Sequence, residues 1–223
     1  MAKTLVITGA SSGIGAATAK AAAEAGWNVA LLARSADKLE ALAGEIGDAA
    51  LAHPCDVTKR DEVTEALKRT AAHFGGIDAV FANAGTGVSK PGIGNGDPDE
   101  WRAMIDVNIM AVLYAAHAAI PHLKKTKGHF VVTGSKAGRD TFKGSVYSAT
   151  KWFVHGFGEN LAEEMREFGG RATVIAPGMV DTAFFDEPKP TKIQAEDVAN
   201  AVMFTLSQPE TAAVREIYLM PND

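Results

Sequence analysis

Short apolar runs of strand length recur along the chain, separated by longer segments with helical spacing. The strand-like runs are Leu5 to Thr8, Val29 to Ala33, Ala50 to His53, Ala79 to Ala82, Phe130 to Thr133, Ala172 to Ala176 and Glu216 to Met220. Most are continuously apolar instead of alternating, the pattern of parallel strands covered by helices on both faces. Between them, helices are predicted over 14–26, 36–46, 60–74, 98–124, 146–168 and 195–207. One start is marked by Asp97-Pro98-Asp99-Glu100, with an N-cap, a proline at the first helical position and acids in the first turn. The alternation predicts an α/β architecture: a doubly wound, seven-stranded parallel sheet with helices on both faces. Two irregular stretches, the glycine-rich 85–97 and the segment 184–192, are expected to wall a pocket beyond the carboxyl ends of the strands.

Bulk properties narrow the picture. A chain of 223 residues, 47% hydrophobic, buries one core of ordinary size, so a single domain spanning 1–223 is expected. The net charge is −5, and no block of Lys or Arg is present to contact phosphates, which argues against nucleic acid and membrane surfaces as partners. Met1-Ala2-Lys3-Thr4 runs directly into Leu5-Val6-Ile7, an apolar stretch too short for a signal segment or a membrane span. The lone Cys55 fits a reducing compartment, and a cytoplasmic location is expected. The six histidines form no i,i+4 pair and lie near no cysteine cluster, so no metal site is expected.

After the first strand comes Thr8-Gly9-Ala10-Ser11-Ser12-Gly13-Ile14-Gly15, followed by an alanine-rich helix. Glycines in a strand-turn-helix let backbone approach a pyrophosphate closely, and the helix N-terminus favours the anion. The second strand ends Leu32-Ala33-Arg34-Ser35. An acid there would bind a ribose 2'-hydroxyl, whereas the planar fork of Arg34 suits a 2'-phosphate, which favours NADP over NAD. Farther on, Tyr147 and Lys151 are four apart on a predicted helix, so they share one face. A tyrosine of pKa near 10 beside an ammonium group is expected to ionise more easily and to serve as general acid or base.

These motifs, with Asn83-Ala84-Gly85, Asn108, Ser135 and Pro177-Gly178, occur in the order of one family: the sequence resembles the short-chain dehydrogenases/reductases from Thr8 to Thr182. The resemblance implies a Rossmann fold that transfers hydride between NADP(H) and a small-molecule carbonyl or alcohol substrate (ketone, aldehyde or hydroxy acid). It implies that Tyr147 exchanges the proton, Ser135 holds the substrate oxygen, Lys151 lowers the tyrosine pKa and binds the nicotinamide ribose, and Asn108 holds a relay water. On the cofactor side it implies Gly9, Ser11, Ser12, Gly13, Ile14 and Gly15 at the phosphates, and Asp56 and Val57 at the adenine. Asn83, Ala84 and Gly85 are implied beside the cofactor, and Pro177, Gly178, Val180 and Thr182 near the carboxamide. Read without the family, Asp56 is equally a helix cap and Asn83 a turn residue. A homo-oligomer, dimer or tetramer, is also implied.

Departures from the pattern concern selectivity and assembly. Ser12 stands where many NADP-using members have a basic residue, leaving Arg34 alone to select phosphate, and the Asp-Gly-Gly tail of many tetramers is missing. Met179, Phe184 and Phe185 either line an apolar substrate pocket or shield the cofactor. Lys136 and Arg139 are candidates for a substrate carboxylate. The alternatives to an oxidoreductase are a non-catalytic NADP-binding sensor or scaffold, and a non-redox isomerase or dehydratase on the same fold.

Overall fold

The structure, a computed structural model, describes residues 2–90, 92–185 and 187–222. In chain order the elements are β1 (Thr4–Thr8), α1 (Gly13–Glu24), β2 (Asn28–Ala33), α2 (Ala36–Ile46), β3 (Ala50–Pro54), α3 (Arg60–Phe74), β4 (Ala79–Ala82), α4 (Pro98–Ile105), α5 (Ala111–Thr126), β5 (His129–Thr133), α6 (Val146–Arg166), β6 (Arg171–Pro177), α7 (Ala195–Ser207) and β7 (Glu216–Leu219). All seven strands join one parallel sheet of order β3-β2-β1-β4-β5-β6-β7. Every strand expected from the apolar runs is present, and the fold is a single α/β domain of the doubly wound kind.

The sheet separates two apolar layers. On one face α3, α5 and α6 pack over Val6, Val80, Phe130 and Val132, with Leu67, Leu123, Leu161 and Met165 filling the space. On the other, α1, α2 and α7 cover Leu5, Ile7, Leu31, Phe81 and Val131. Alternate residues of one strand thus enter opposite layers, as the pleat requires when both faces are buried. The edge strand β7 departs from the expected apolar continuity. Tyr218 is 45% exposed there, because the outer face of an edge has no further neighbour to cover it.

The expected helix 98–124 is interrupted. Asp97 does cap its start, its carboxylate accepting from the Asp99 N–H at 2.9 Å. Asp106–Met110 then forms one π-helical turn between α4 and α5. Such a turn inserts a residue into the helical ladder, which 3.6-residue periodicity cannot reveal. By length and composition Pro98–Thr126 could cross a membrane, but α5 sends Ala115, Ala119 and Leu123 into the core, as a core helix does.

Cys55, just after β3, is buried, and desolvation pushes its thiol up to about 12. Because Phe81 is fully buried mid-sheet, Phe81→Ala should lower unfolding free energy by about 3–5 kcal/mol. Urea denaturation measures it, and a loss below about 1 kcal/mol would contradict this packing.

Candidate active site

Strand order reverses between β1 and β4, so the crevice beyond their carboxyl ends is where a ligand enters a sheet of this kind. The loop ends there are knitted together. The Thr8 hydroxyl accepts from the N–H groups of Asn83 (3.0 Å) and Ala84 (3.1 Å), while the Asn83 amide donates to the Thr8 carbonyl at 3.2 Å. Asn83 Oδ1 in turn accepts from the Thr133 hydroxyl at 3.1 Å. One side chain thereby ties β1, β4 and β5.

The glycine turn needs its glycines. Gly9 and Gly13 adopt φ of +66° and +51°, and a Cβ on Gly15 would collide with the Gly9 carbonyl oxygen. At Ser12, the N-cap of α1, the side chain makes no capping bond, so the helix's first N–H groups are not satisfied by it. A Cβ on Gly13 would press within 3.1 Å of Thr182, which places Thr182 against the turn from across the crevice. A phosphate-bearing dinucleotide fits this cradle of backbone donors. Arg34 is exposed at the end of β2 and makes no hydrogen bond or ion pair among the described residues. Asp56 accepts from the Thr58 N–H (3.0 Å) and hydroxyl (2.8 Å). Burial opposes its ionisation, but the two Thr58 bonds, Lys59 and Arg34 hold its carboxyl below the usual range. Val57 is buried beside it. Asp56 is thus a turn-forming acid and not the cap of α3, whose N-cap is Lys59.

A cleft of about 510 Å³ opens at the carboxyl ends of β4, β5 and β6. Ser135, Tyr147 and Lys151 share its wall. Ile14, Asn83 and Gly85 line it on the nucleotide side, and Pro177, Gly178, Val180 and Thr182 line it after β6. The backbone of this last segment is anchored by Gly178 N–H to Leu219 O (2.7 Å) and by a bridge between Val180 and Ile193. Gly9, Ser11, Ser12, Gly13, Gly15, Arg34, Asp56, Val57 and Ala84 do not line this cavity.

Lys151 is 5% exposed, and its ammonium donates to the Thr133 carbonyl at 2.8 Å. Burial pushes its pKa down to about 8. Tyr147 is likewise desolvated, which raises its phenol above the ordinary value, against the opposing pull of the Ser135 hydroxyl. The expectation that Lys151 lowers the tyrosine pKa is therefore not met in this state. Its Nζ lies 5.9 Å from the phenol ring centroid and is directed to Thr133, and desolvation is the largest influence on the phenol. The Ser135 hydroxyl oxygen accepts from the Ala137 N–H at 3.1 Å, and its hydroxyl is also within hydrogen-bonding reach of the Tyr147 phenol.

Asn108 is buried in the π-helical turn and does not line the cleft. Its Oδ1 accepts from Thr86 N–H (2.9 Å), and its Nδ2 donates to Thr86 O (2.9 Å) and the Thr150 hydroxyl (3.1 Å). Both amide protons are thereby used, and these bonds tie the loop after β4 to α6 beside Lys151. Arg139 is removed as a carboxylate reader: it pairs with Glu216 and lies over the Tyr218 ring, away from the cleft. Lys136 does line the cleft, paired with Asp140.

The sequence reading missed three residues around the site. Thr86 and Thr150 hold Asn108, and His155 faces the Ser135 carbonyl at 3.1 Å through Nε2 and Glu216 at 3.5 Å through Nδ1. Burial lowers the His155 pKa despite the opposing effects of Glu216 and that carbonyl. The signal was available: Tyr147, Lys151 and His155 are spaced i, i+4, i+8 along one stripe of α6.

Phe184 packs against Tyr147 with ring centroids 5.8 Å apart, and Phe185 meets Phe184 edge-on at 5.3 Å. Both line the cleft with Met179, which makes them pocket walls.

Comparison with known proteins agrees with this geometry. The family model described as short chain dehydrogenase matches residues 3–192. An uncharacterized oxidoreductase of Staphylococcus aureus strain MRSA252 is 42% identical, over 98% of this chain and 97% of the relative. Among solved structures, the alcohol dehydrogenase of the archaeon Thermococcus sibiricus, complexed with 5-hydroxy-NADP, superposes with a TM-score of 0.92 at 34% identity, covering 100% of this chain and 97% of that one. The 3-ketoacyl-(acyl-carrier-protein) reductase of Brucella melitensis, complexed with NADH, gives 0.88 at 28% identity, over 97% and 96% of the two chains. The fold thus coincides with that of one oxidoreductase family, and the chain belongs to the short-chain dehydrogenases.

Proposed function

We propose that the protein is an NADP(H)-dependent oxidoreductase that interconverts a small alcohol and the corresponding carbonyl compound, with Tyr147 as general acid and base. The observation that supports this reading most is the convergence of Ser135, Tyr147 and Lys151 on one cleft wall beside the glycine turn. When bound, the nicotinamide ring supplies or accepts the hydride. The Tyr147 hydroxyl donates its proton to the carbonyl oxygen during reduction and takes it back during alcohol oxidation. Ser135, whose hydroxyl lies beside the Tyr147 phenol, donates a hydrogen bond to the same oxygen and orients it. Lys151 has two N–H groups left after its bond to Thr133, and these hold the ribose hydroxyls. With the ammonium so engaged in a water-poor site, its charge favours the phenolate. Gly9, Ser11, Ser12, Gly13, Ile14 and Gly15 cradle the phosphates, while Asp56 and Val57 flank the adenine.

Arg34 supports the choice of NADP: it is an exposed, unengaged guanidinium at the end of β2, and an acid is absent from that position. The buried single thiol fits a cytoplasmic location, and a dimer or tetramer completes the reading by likeness to the family.

Three measurements test it. Tyr147→Phe should keep NADPH binding but lose turnover by about 10²–10⁴-fold; steady-state rates near wild type would refute the assignment. Arg34→Ala should weaken NADPH by about tenfold or more, one charged hydrogen bond, and leave NADH affinity nearly unchanged. Fluorescence titration reads both, and equal losses would remove Arg34 from phosphate selection. The depressed lysine is charged below about pH 8 and neutral above it. For carbonyl reduction kcat/KM should therefore fall as pH rises through about 8, and Lys151→Met should be nearly inactive and lack that limb. A wild-type profile flat from pH 6 to 10 would sink the role given to the lysine charge.

A further inference from the structure

The charges of the cleft are one-sided. Among the described residues its wall includes Lys136, Lys143 and Lys151 and no aspartate or glutamate. Two of the three lysines are committed, Lys151 to the Thr133 carbonyl and Lys136 to Asp140, with the Lys136 ammonium also 5.9 Å from the Phe142 ring centroid. Lys143 makes no hydrogen bond or ion pair among the described residues.

The backbone holds Lys143 in place. Gly144 follows at φ +63°, where a Cβ would come within 3.0 Å of the Ile93 nitrogen, so the two loops are packed together at that point. Ser145 then caps α6 through a 3.0 Å bond from the Ser148 N–H. The lysine therefore projects from a turn placed between a close backbone contact and a helix cap.

Around it the cleft is hydrophobic. Phe142, Met179 and Phe184 are 51%, 39% and 47% exposed, and all three line this cavity. Large apolar side chains left wet around a concave site are explained by a ligand that covers them.

We infer that Lys143 is a specificity-determining residue that binds the carboxylate of the substrate, and that the enzyme acts on hydroxy or oxo acids whose apolar part lies against Phe142, Met179 and Phe184. The inference rests on the oxidoreductase reading. A lysine binds a carboxylate as a point charge on a flexible stem, and such a site tolerates acids of several lengths. In the oxidative direction the C–H hydride goes to NADP, the hydroxyl proton leaves through Tyr147, and the carboxylate takes no part in the bond changes.

The test compares each acid with its methyl ester, which keeps the carbon skeleton and loses the charge. With NADP and the purified enzyme, 3-hydroxybutanoate and 3-hydroxy-3-phenylpropanoate should be oxidised with higher kcat/KM than their esters. Lys143→Met should lower the acid-to-ester ratio about tenfold, Lys143→Glu should lower it further, and Lys143→Arg should largely restore it. The wild-type ratio should also shrink as salt is raised, since the ammonium is at the mouth of the cleft. An acid-to-ester ratio that is the same in wild type and Lys143→Met overturns the assignment, even while neutral alcohols confirm an oxidoreductase. Binding decides the matter without turnover. Calorimetry with 3-phenylpropanoate and its amide on the enzyme saturated with NADP should favour the acid in wild type and not in Lys143→Met. Equal binding of the two by wild type overturns the inference. Failure of every acid, ester and neutral alcohol to react overturns the oxidoreductase reading instead.

Discussion

Everything around the cleft hangs from the hydrogen bonds that Asn83 and Thr8 make across three strand ends. Parallel strands position backbone, but their last residues have no ladder partner to hold the loops that follow. Here the Thr8 hydroxyl takes two N–H groups from the loop after β4, and the Asn83 amide spans from the Thr8 carbonyl to the Thr133 hydroxyl. Thr133 uses its carbonyl to hold the Lys151 ammonium. The glycine turn, the lysine and the serine loop are thus fixed relative to one another through a single amide side chain. Its position against the Gly9 and Gly15 backbone leaves no space for larger residues there.

That scaffold holds polar groups in unfavourable electrostatic states. A buried ammonium with a depressed pKa faces a phenol whose own pKa is raised, and neither yet stabilises the other. Groups arranged this way interact strongly with whatever charge develops between them, because little water remains to screen it. His155 extends the arrangement outward, linking the serine loop to Glu216 on the edge strand and, through it, to Arg139.

Much of this was legible in the sequence. Seven apolar runs became seven strands, since burial on both sheet faces leaves a signal that does not depend on distant residues. Asp97 and Pro98 marked a helix start because capping chemistry is local. Ser135, Tyr147 and Lys151 were readable from order and spacing, and they do meet in one cleft. What could not be read depends on partners far apart in sequence or on small distortions. Arg139 looked free for a substrate until Glu216, 77 positions away, claimed it. The π-helical turn has no compositional mark, and the Asn108 amide is held by Thr86 and Thr150, whose approach follows only from tertiary packing. The direction of the tyrosine shift turned on desolvation, which spacing on a helix does not report.

The burial of Cys55 has a practical chemical consequence. Burial holds the thiol well above its ordinary pKa and out of contact with solvent, and the exposed thiolate is the species that reacts with alkylating and oxidising reagents. The sole native sulfhydryl is therefore silent in the folded state. A cysteine placed anywhere on the surface, by contrast, becomes a unique address for a fluorophore or spin label, without any native residue having to be replaced.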